Sequence, residues 1–150
     1  MINSPEMTAI LKVVQKYTKT PVIFSNQDAD RPISDYISMY LIDEMPIGYA
    51  EQIGDTLIKQ FDLQVCFDCI GKNPYQLSNN LSMIWEIPNV QAELKVNSIA
   101  WHKSYNIKNT TILYDEKYQN RLTQEVSFYI NKSTKIEIET IERVNYGFNK

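Results

Sequence analysis

The sequence predicts an α+β fold: a mostly antiparallel sheet with two helices packed on one face. Three observations carry this. Thr56 to Ile70 alternates apolar and polar residues over a long segment, the period of a strand with one buried face. Arg121 to Asn131 alternates in the same way. Two other segments, opening at Ser4 and Asn73, carry helix-start signals followed by apolar residues at helical spacing. The strands are weighted to the second half, giving the order α-β-β-α-β-β-β. The 150 residues suit one domain spanning the whole chain, with no linker, repeat or low-complexity segment.

The first helix is predicted over "SPEMTAILKVVQKYT". Ser4 caps it, Pro5 suits the first turn and Glu6 suits the positive end of the dipole. Met7, Ile10, Leu11, Val14 and Tyr17 share a face, and Pro21 ends the segment. "PVIF" is a short apolar piece before a polar loop, and Tyr36 to Asp43 reads as a strand. Glu44 to Asp55, with Pro46, Gly48 and Gly54, reads as a loop. In the strand from Thr56, Leu57, Phe61, Leu63, Val65, Phe67 and Cys69 share one face. Lys59 interrupts that face, and Ile58 is the apolar exception on the other. The second helix follows, with Asn73 as cap, Pro74 at the first position and Gln76 at capping-box spacing. Leu77, Leu81, Ile84 and Trp85 form its stripe, and Pro88 stops it. A strand near Val96 to Trp101, a loop, and the strand from Arg121 come next. There Leu122, Val126, Phe128 and Ile130 point inward. "NKST", residues 131–134, reads as a tight turn and "KIEIETIERV", 135–144, as a last strand.

Composition narrows the function. The chain is 43% hydrophobic and 22% charged, an ordinary soluble profile. A net charge of −3 argues against gripping nucleic acid by its phosphates, though not against letting DNA slide past. Apolar runs are too short to span a bilayer. "MINSPEMTAI" lacks the basic and apolar regions of a signal peptide. The expectation is a soluble protein made in the cytoplasm.

The only two cysteines, Cys66 and Cys69, form a C-x-x-C. Inside a strand, residues three apart face opposite ways, with Cα atoms about 10 Å apart. A disulfide needs them within about 7 Å. A zinc site needs further ligands, and His102 is the only histidine. The pair reads as two unrelated thiols, and His102, in "AWHKS", as a surface histidine without a nucleophile motif nearby. "DADRP" lacks the glycine and terminal glutamate of a calcium loop. The adjacent acids of "YDEKY" do not build a cleft. With four glycines there is no phosphate-cradling loop. No catalytic residue, metal site or cofactor is expected, and the protein is not expected to be an enzyme.

One combination is distinctive. Arg31, Pro32 and Tyr36 form R-P-x-x-x-Y before the first strand. An aromatic-rich strand then leads to a glycine turn and a helix, at Phe67, Gly71 and Leu81. Tyr114, with Asp115 or Glu116, precedes Arg121 before a long antiparallel strand. In this order, over about residues 4 to 146, the chain resembles the phage neck and tail terminator proteins of the LIC-type family. The run at 115–117 departs from the pattern and blurs the acid's register.

The resemblance implies a tail-terminator-like fold and a structural role in the virion neck. It implies a ring, usually of six copies, that caps the tail tube and joins the tail to the head-side connector. Genome DNA passes through the lumen without specific binding. An acidic chain suits such a channel, and a small α+β domain can close a ring by head-to-tail contacts. Partners are then further copies of the chain, the tail tube protein and the connector protein, and no membrane. Contacts are expected in Asn26–Ser34, Glu44–Asp55 and Tyr105–Asn120, with Tyr36, Tyr49, Tyr114, Tyr118 and Arg121 as oligomer or tube interface residues. Other readings stay open: a head-completion or tail-tube component, a small thiol enzyme using Cys66 or Cys69 with His102, or a cytosolic adaptor.

Overall fold

Ser4 and Pro5 open helix α1, Pro5–Thr18, as the capping signals require. The Met7 N–H donates to the Ser4 hydroxyl at 3.2 Å. The helix ends before Pro21 through a left-handed Lys19. In the computed structural model, which describes residues 4–26 and 30–137, α1 is followed by β1 (Val22–Phe24), β2 (Tyr36–Ile53) and β3 (Thr56–Ile70). Helices α2 (Pro74–Ile84) and α3 (Pro88–Val96) come next. Strands β4 (Ile99–Ser104), β5 (Lys108–Asn109), β6 (Ile112–Tyr114), β7 (Lys117–Gln119) and β8 (Arg121–Lys135) complete the order.

The main sheet runs β1-β2-β3-β8-β4, with β5 also beside β8, and β6 and β7 form a separate two-stranded ribbon. Among the described residues only the β1–β2 pair is parallel. The alternation of β3 fixes the inner face: Leu63, Val65, Phe67 and Cys69 enter the core, and Leu63 faces Phe128 across the ladder. Met7, Ile10 and Val14 of α1, Leu77 and Leu81 of α2, and Val90 and Leu94 of α3 meet that face. All the helices therefore lie on one side of an α+β, mostly antiparallel sheet. Trp85 is the centre of the core. Its ring is edge-on to Phe128 at 5.1 Å and tilted against Phe67 at 5.9 Å.

Several expectations need correction. There are three helices among the described residues, not two. Pro88 starts α3 instead of stopping α2, because a proline in the first turn loses no hydrogen bond. That helix is nine residues long with no side-chain cap bond, so its signal was weak. Glu44 to Asp55 is not a loop: most of it is the outer half of β2. Pro46 is tolerated because this half of β2 is an edge, paired with β3 alone among the described residues. Gly48, at φ +65°, lies in the second of two register shifts, where β2 carries extra residues. "NKST" is not a turn either. Residues 131–135 continue β8 against β3 as far as Lys135 opposite Thr56. "PVIF" contains a strand, and the loop expected after Trp101 contains three short ones. The expected last strand lies largely outside the described residues.

Strands β2, β3 and the end of β8 therefore leave the body as an arm. Leu63 is 1% exposed, whereas Ile53 is 59% and Tyr49 98% exposed, which marks where helix cover ends.

Candidate functional site

The family-like motifs, far apart in sequence, converge at the end of the sheet opposite the arm tip. Tyr36 pairs with Ile70, and Ile70 pairs with Arg121, so the three form one row across β2, β3 and β8. Directly after Ile70 the chain turns at Gly71, whose φ of +147° disfavours an L side chain. The Asp35 carboxylate clamps this turn. Its Oδ1 accepts the Lys72 N–H at 2.8 Å and its Oδ2 the Asn73 N–H at 3.2 Å. Gly71 N–H donates to the Asn120 carbonyl at 3.3 Å. Asn73 then caps α2 by accepting the Gln76 N–H. Asp35 thus ties the start of β2 to the β3–α2 turn, beside the residue preceding Arg121.

On the sheet face away from the helices, a polar chain runs from this row. Arg121 Nε donates to the Thr110 carbonyl at 3.2 Å. The Thr110 and Thr123 hydroxyls are 2.6 Å apart, and Thr123 donates to the buried Asp68 carboxylate at 2.5 Å. Arg31 Nη2 donates to the Ser25 carbonyl at 2.9 Å. Arg31, Tyr36, Asp68 and Arg121 border a recess of about 310 Å³. A wider cleft of about 910 Å³ opens next to it, lined by Lys19, Ile33, Lys72, Lys117 and Tyr118.

The five expected interface residues divide between the two ends of the sheet. Tyr36 is buried within the chain and Arg121 is half-buried, held by Thr110. Tyr118, 75% exposed, stands on β7 at the cleft, and Tyr114 ends β6 in the same ribbon. Tyr49 is alone on the arm. The sequence reading missed Asp35, the cleft lysines and an apolar stripe on the arm. Met45, Ile47, Ile53 and Ile58 share the arm face that continues the polar side of the sheet, and Met45 is 54% exposed. Ile58, the apolar exception in a polar row, was the one legible signal of that stripe.

The β6–β7 turn has a feature of its own. Asp115 and Glu116 both have positive φ, 50° and 63°. Two successive left-handed residues make the hairpin turn that favours Asn-Gly. Asp115→Asn with Glu116→Gly is expected to stabilise the ribbon by about 1 kcal/mol. Slower amide exchange at Lys117 and Gln119, whose N–H groups face the partner strand, checks it, and unchanged exchange would contradict the strain.

The cysteines lie on opposite faces of β3, both buried and free. Burial, opposed by a hydrogen bond from Tyr40, moves the Cys66 thiol up to about 11. Burial, with the charge of Asp68, moves Cys69 up to about 12. Both are thiols at neutral pH. Alkylation by iodoacetamide at pH 7.5 is expected to be far slower than for a free peptide thiol and to become fast only in denaturant. Rapid labelling of the folded chain would contradict this. Stability has a matching pH dependence. Folded values above the unfolded one mean that the unfolded chain loses protons first as pH rises. The stabilisation is complete below about 9 and is lost as pH climbs through 11 to 12. The thermal midpoint is expected to fall above pH 9. His102 stacks on Tyr129 at 4.2 Å between centroids, with Nε2 2.9 Å from the Tyr129 hydroxyl and Nδ1 4.0 Å from Asp62. Among the described residues no hydrogen bond joins it to Cys66 or Cys69. Among the described residues no three acid, histidine or cysteine side chains gather as a metal site, and no helix is long and apolar enough to cross a membrane.

Residues 8–150 match the family model of the phage neck terminator protein, and the chain belongs to that family. It is a family of structural proteins, which places the chain in the virion of a tailed phage, at the neck. A comparison with curated proteins returned no match.

Proposed function

We propose that this protein forms a ring, of six copies, at the top of the tail tube. The ring caps the tube, joins it to the head-side connector and lets the genome pass through its lumen. The observation that carries the reading is the family match over residues 8–150. The shape supports it: a protomer with an exposed arm at one end of its sheet and an open cleft at the other has two different surfaces to offer. Two different surfaces are what a head-to-tail ring uses. A net charge of −3 suits a channel that DNA traverses without adhering. Tyr49 on the arm and Tyr118 on the ribbon supply exposed aromatic contacts to neighbours or tube. Tyr36 and Arg121 hold the recess between them, and Tyr114 belongs to the ribbon.

The test is immunogold labelling of particles from an induced lysate. Gold confined to the head–tail junction is the expected result. Gold along the tail or on the head would move the protein to another position. Particles without gold, with the protein abundant in the soluble fraction, would overturn the virion role.

A further inference from the structure

The geometry points to one specific contact within such a ring: the arm of one copy, led by the outer edge of β2, docks in the lysine-lined cleft of the next copy. This rests on the ring reading and adds which surface meets which.

Four observations favour a second copy as the occupant. The first is position. The cleft lies at the Ile70 end of β3 and the arm tip at the Thr56 end, so the 15-residue strand separates them by about 46 Å at roughly 3.3 Å per residue. Surfaces at opposite ends of one protomer cannot meet each other, and they generate a chain of copies that closes into a ring. The second is charge. Strand β2 carries Asp43, Glu44 and Glu51 and no basic residue, with Glu44 paired to Lys132 of β8 at 2.8 Å and Asp43 and Glu51 exposed. The cleft carries Lys19, Lys72 and Lys117 against two acids, Asp35, which is already engaged by two backbone N–H groups, and Asp115 on the β6–β7 turn. A cationic cleft on an acidic protein is complementary to an acidic edge.

The third observation is the backbone. β1 reaches β2 only at Ile37 to Met39, and beyond that the outer side of β2 has no strand partner among the described residues. A long edge of this kind is a template for pairing, and its acidic side chains select the partner. The fourth is the apolar surface. Met45 and Ile53 stand exposed on the arm, while Ile33 and Tyr118 stand exposed at the cleft. Each patch lacks cover in its own protomer.

The test uses the full chain assembled on particles. Glu51→Cys and Lys117→Cys place new thiols on the two proposed faces, while Cys66 and Cys69 stay buried. Oxidised particles carrying both substitutions are expected to give a ladder of covalent multimers on a non-reducing gel, and either substitution alone only monomer. Particles that carry the double variant without a ladder overturn the contact. A charge exchange gives an independent reading. Glu51→Lys and Lys117→Glu each are expected to lower the amount retained on particles roughly tenfold, and the pair to restore it. Both residues are exposed, so thermal melts of the purified variants should match wild type. A pair no better than its singles overturns the contact. Wild-type protein on the same gel separates the two levels. Its absence from particles overturns the neck reading, whereas its presence without a ladder in the variant overturns the arm contact alone.

Discussion

Gly71→Ala is expected to destabilise the protein by about 3 kcal/mol, a large fraction of the usual 5–15 kcal/mol of a folded domain. Two effects act together. At φ +147° an L side chain is strained whatever the space around it. An alanine Cβ would also stand 2.8 Å from the Asp35 Cα and closer still to its carboxylate, the group that holds the Lys72 and Asn73 N–H groups. The turn would have to open, loosening the Asp35 clamp and the start of α2. Because part of the clash is with backbone, Asp35→Ala in the same chain is not expected to recover the loss. Urea unfolding followed by circular dichroism measures it. A loss under 1 kcal/mol would mean that the turn is not fixed as described. Asp35→Asn keeps the size and weakens the acceptor, so it should cost less than Gly71→Ala.

Phe128→Ala is expected to cost about 3–5 kcal/mol, the range for emptying a buried aromatic site. Phe128 is fully buried at the centre of β8, opposite Leu63, and it supplies the edge-on partner of Trp85. The neighbours are poorly placed to collapse into the space, since Phe128 is fixed between paired strands on both sides, β3 and β4. Phe128→Leu should cost markedly less, as it refills much of the volume. Phe61→Ala is the internal comparison. Phe61 is only half-buried, beside Lys132 where the arm leaves the body, and should lose less than half as much. Equal costs at Phe61 and Phe128 would show that the core extends into the arm, against the exposure gradient along β2 and β3.

Much of this was legible in the sequence because local rules and tertiary structure agree. Ser4 and Asn73 cap the helices they were expected to cap. The strand expected over Thr56 to Ile70 is β3 with those limits, and it separates the two cysteines. Both α1 and β3 bury a periodic apolar face, so the pattern carries the answer. The errors fall where pairing outweighs local preference. Pro46 and Gly48 announce a loop, yet register with β3 holds that stretch as an edge strand with bulges. "NKST" announces a turn, yet β3 continues opposite it and holds it extended. Helix α3 has only Val90 and Leu94 buried and no side-chain cap, too little pattern to read.

By itself the sequence determined the fold class, the quiet cysteines and, through its ordered motifs, the family. These depend on periodicity and on residue types along the chain. Only the tertiary structure decided that Tyr36, Gly71 and Arg121 meet at one end of the sheet, under the Asp35 clamp. Only it showed that an arm with an acidic β2 edge and a lysine-lined cleft stand at opposite ends of the molecule. Those placements depend on strand order and register, which are set by long-range pairing rather than by any local stretch.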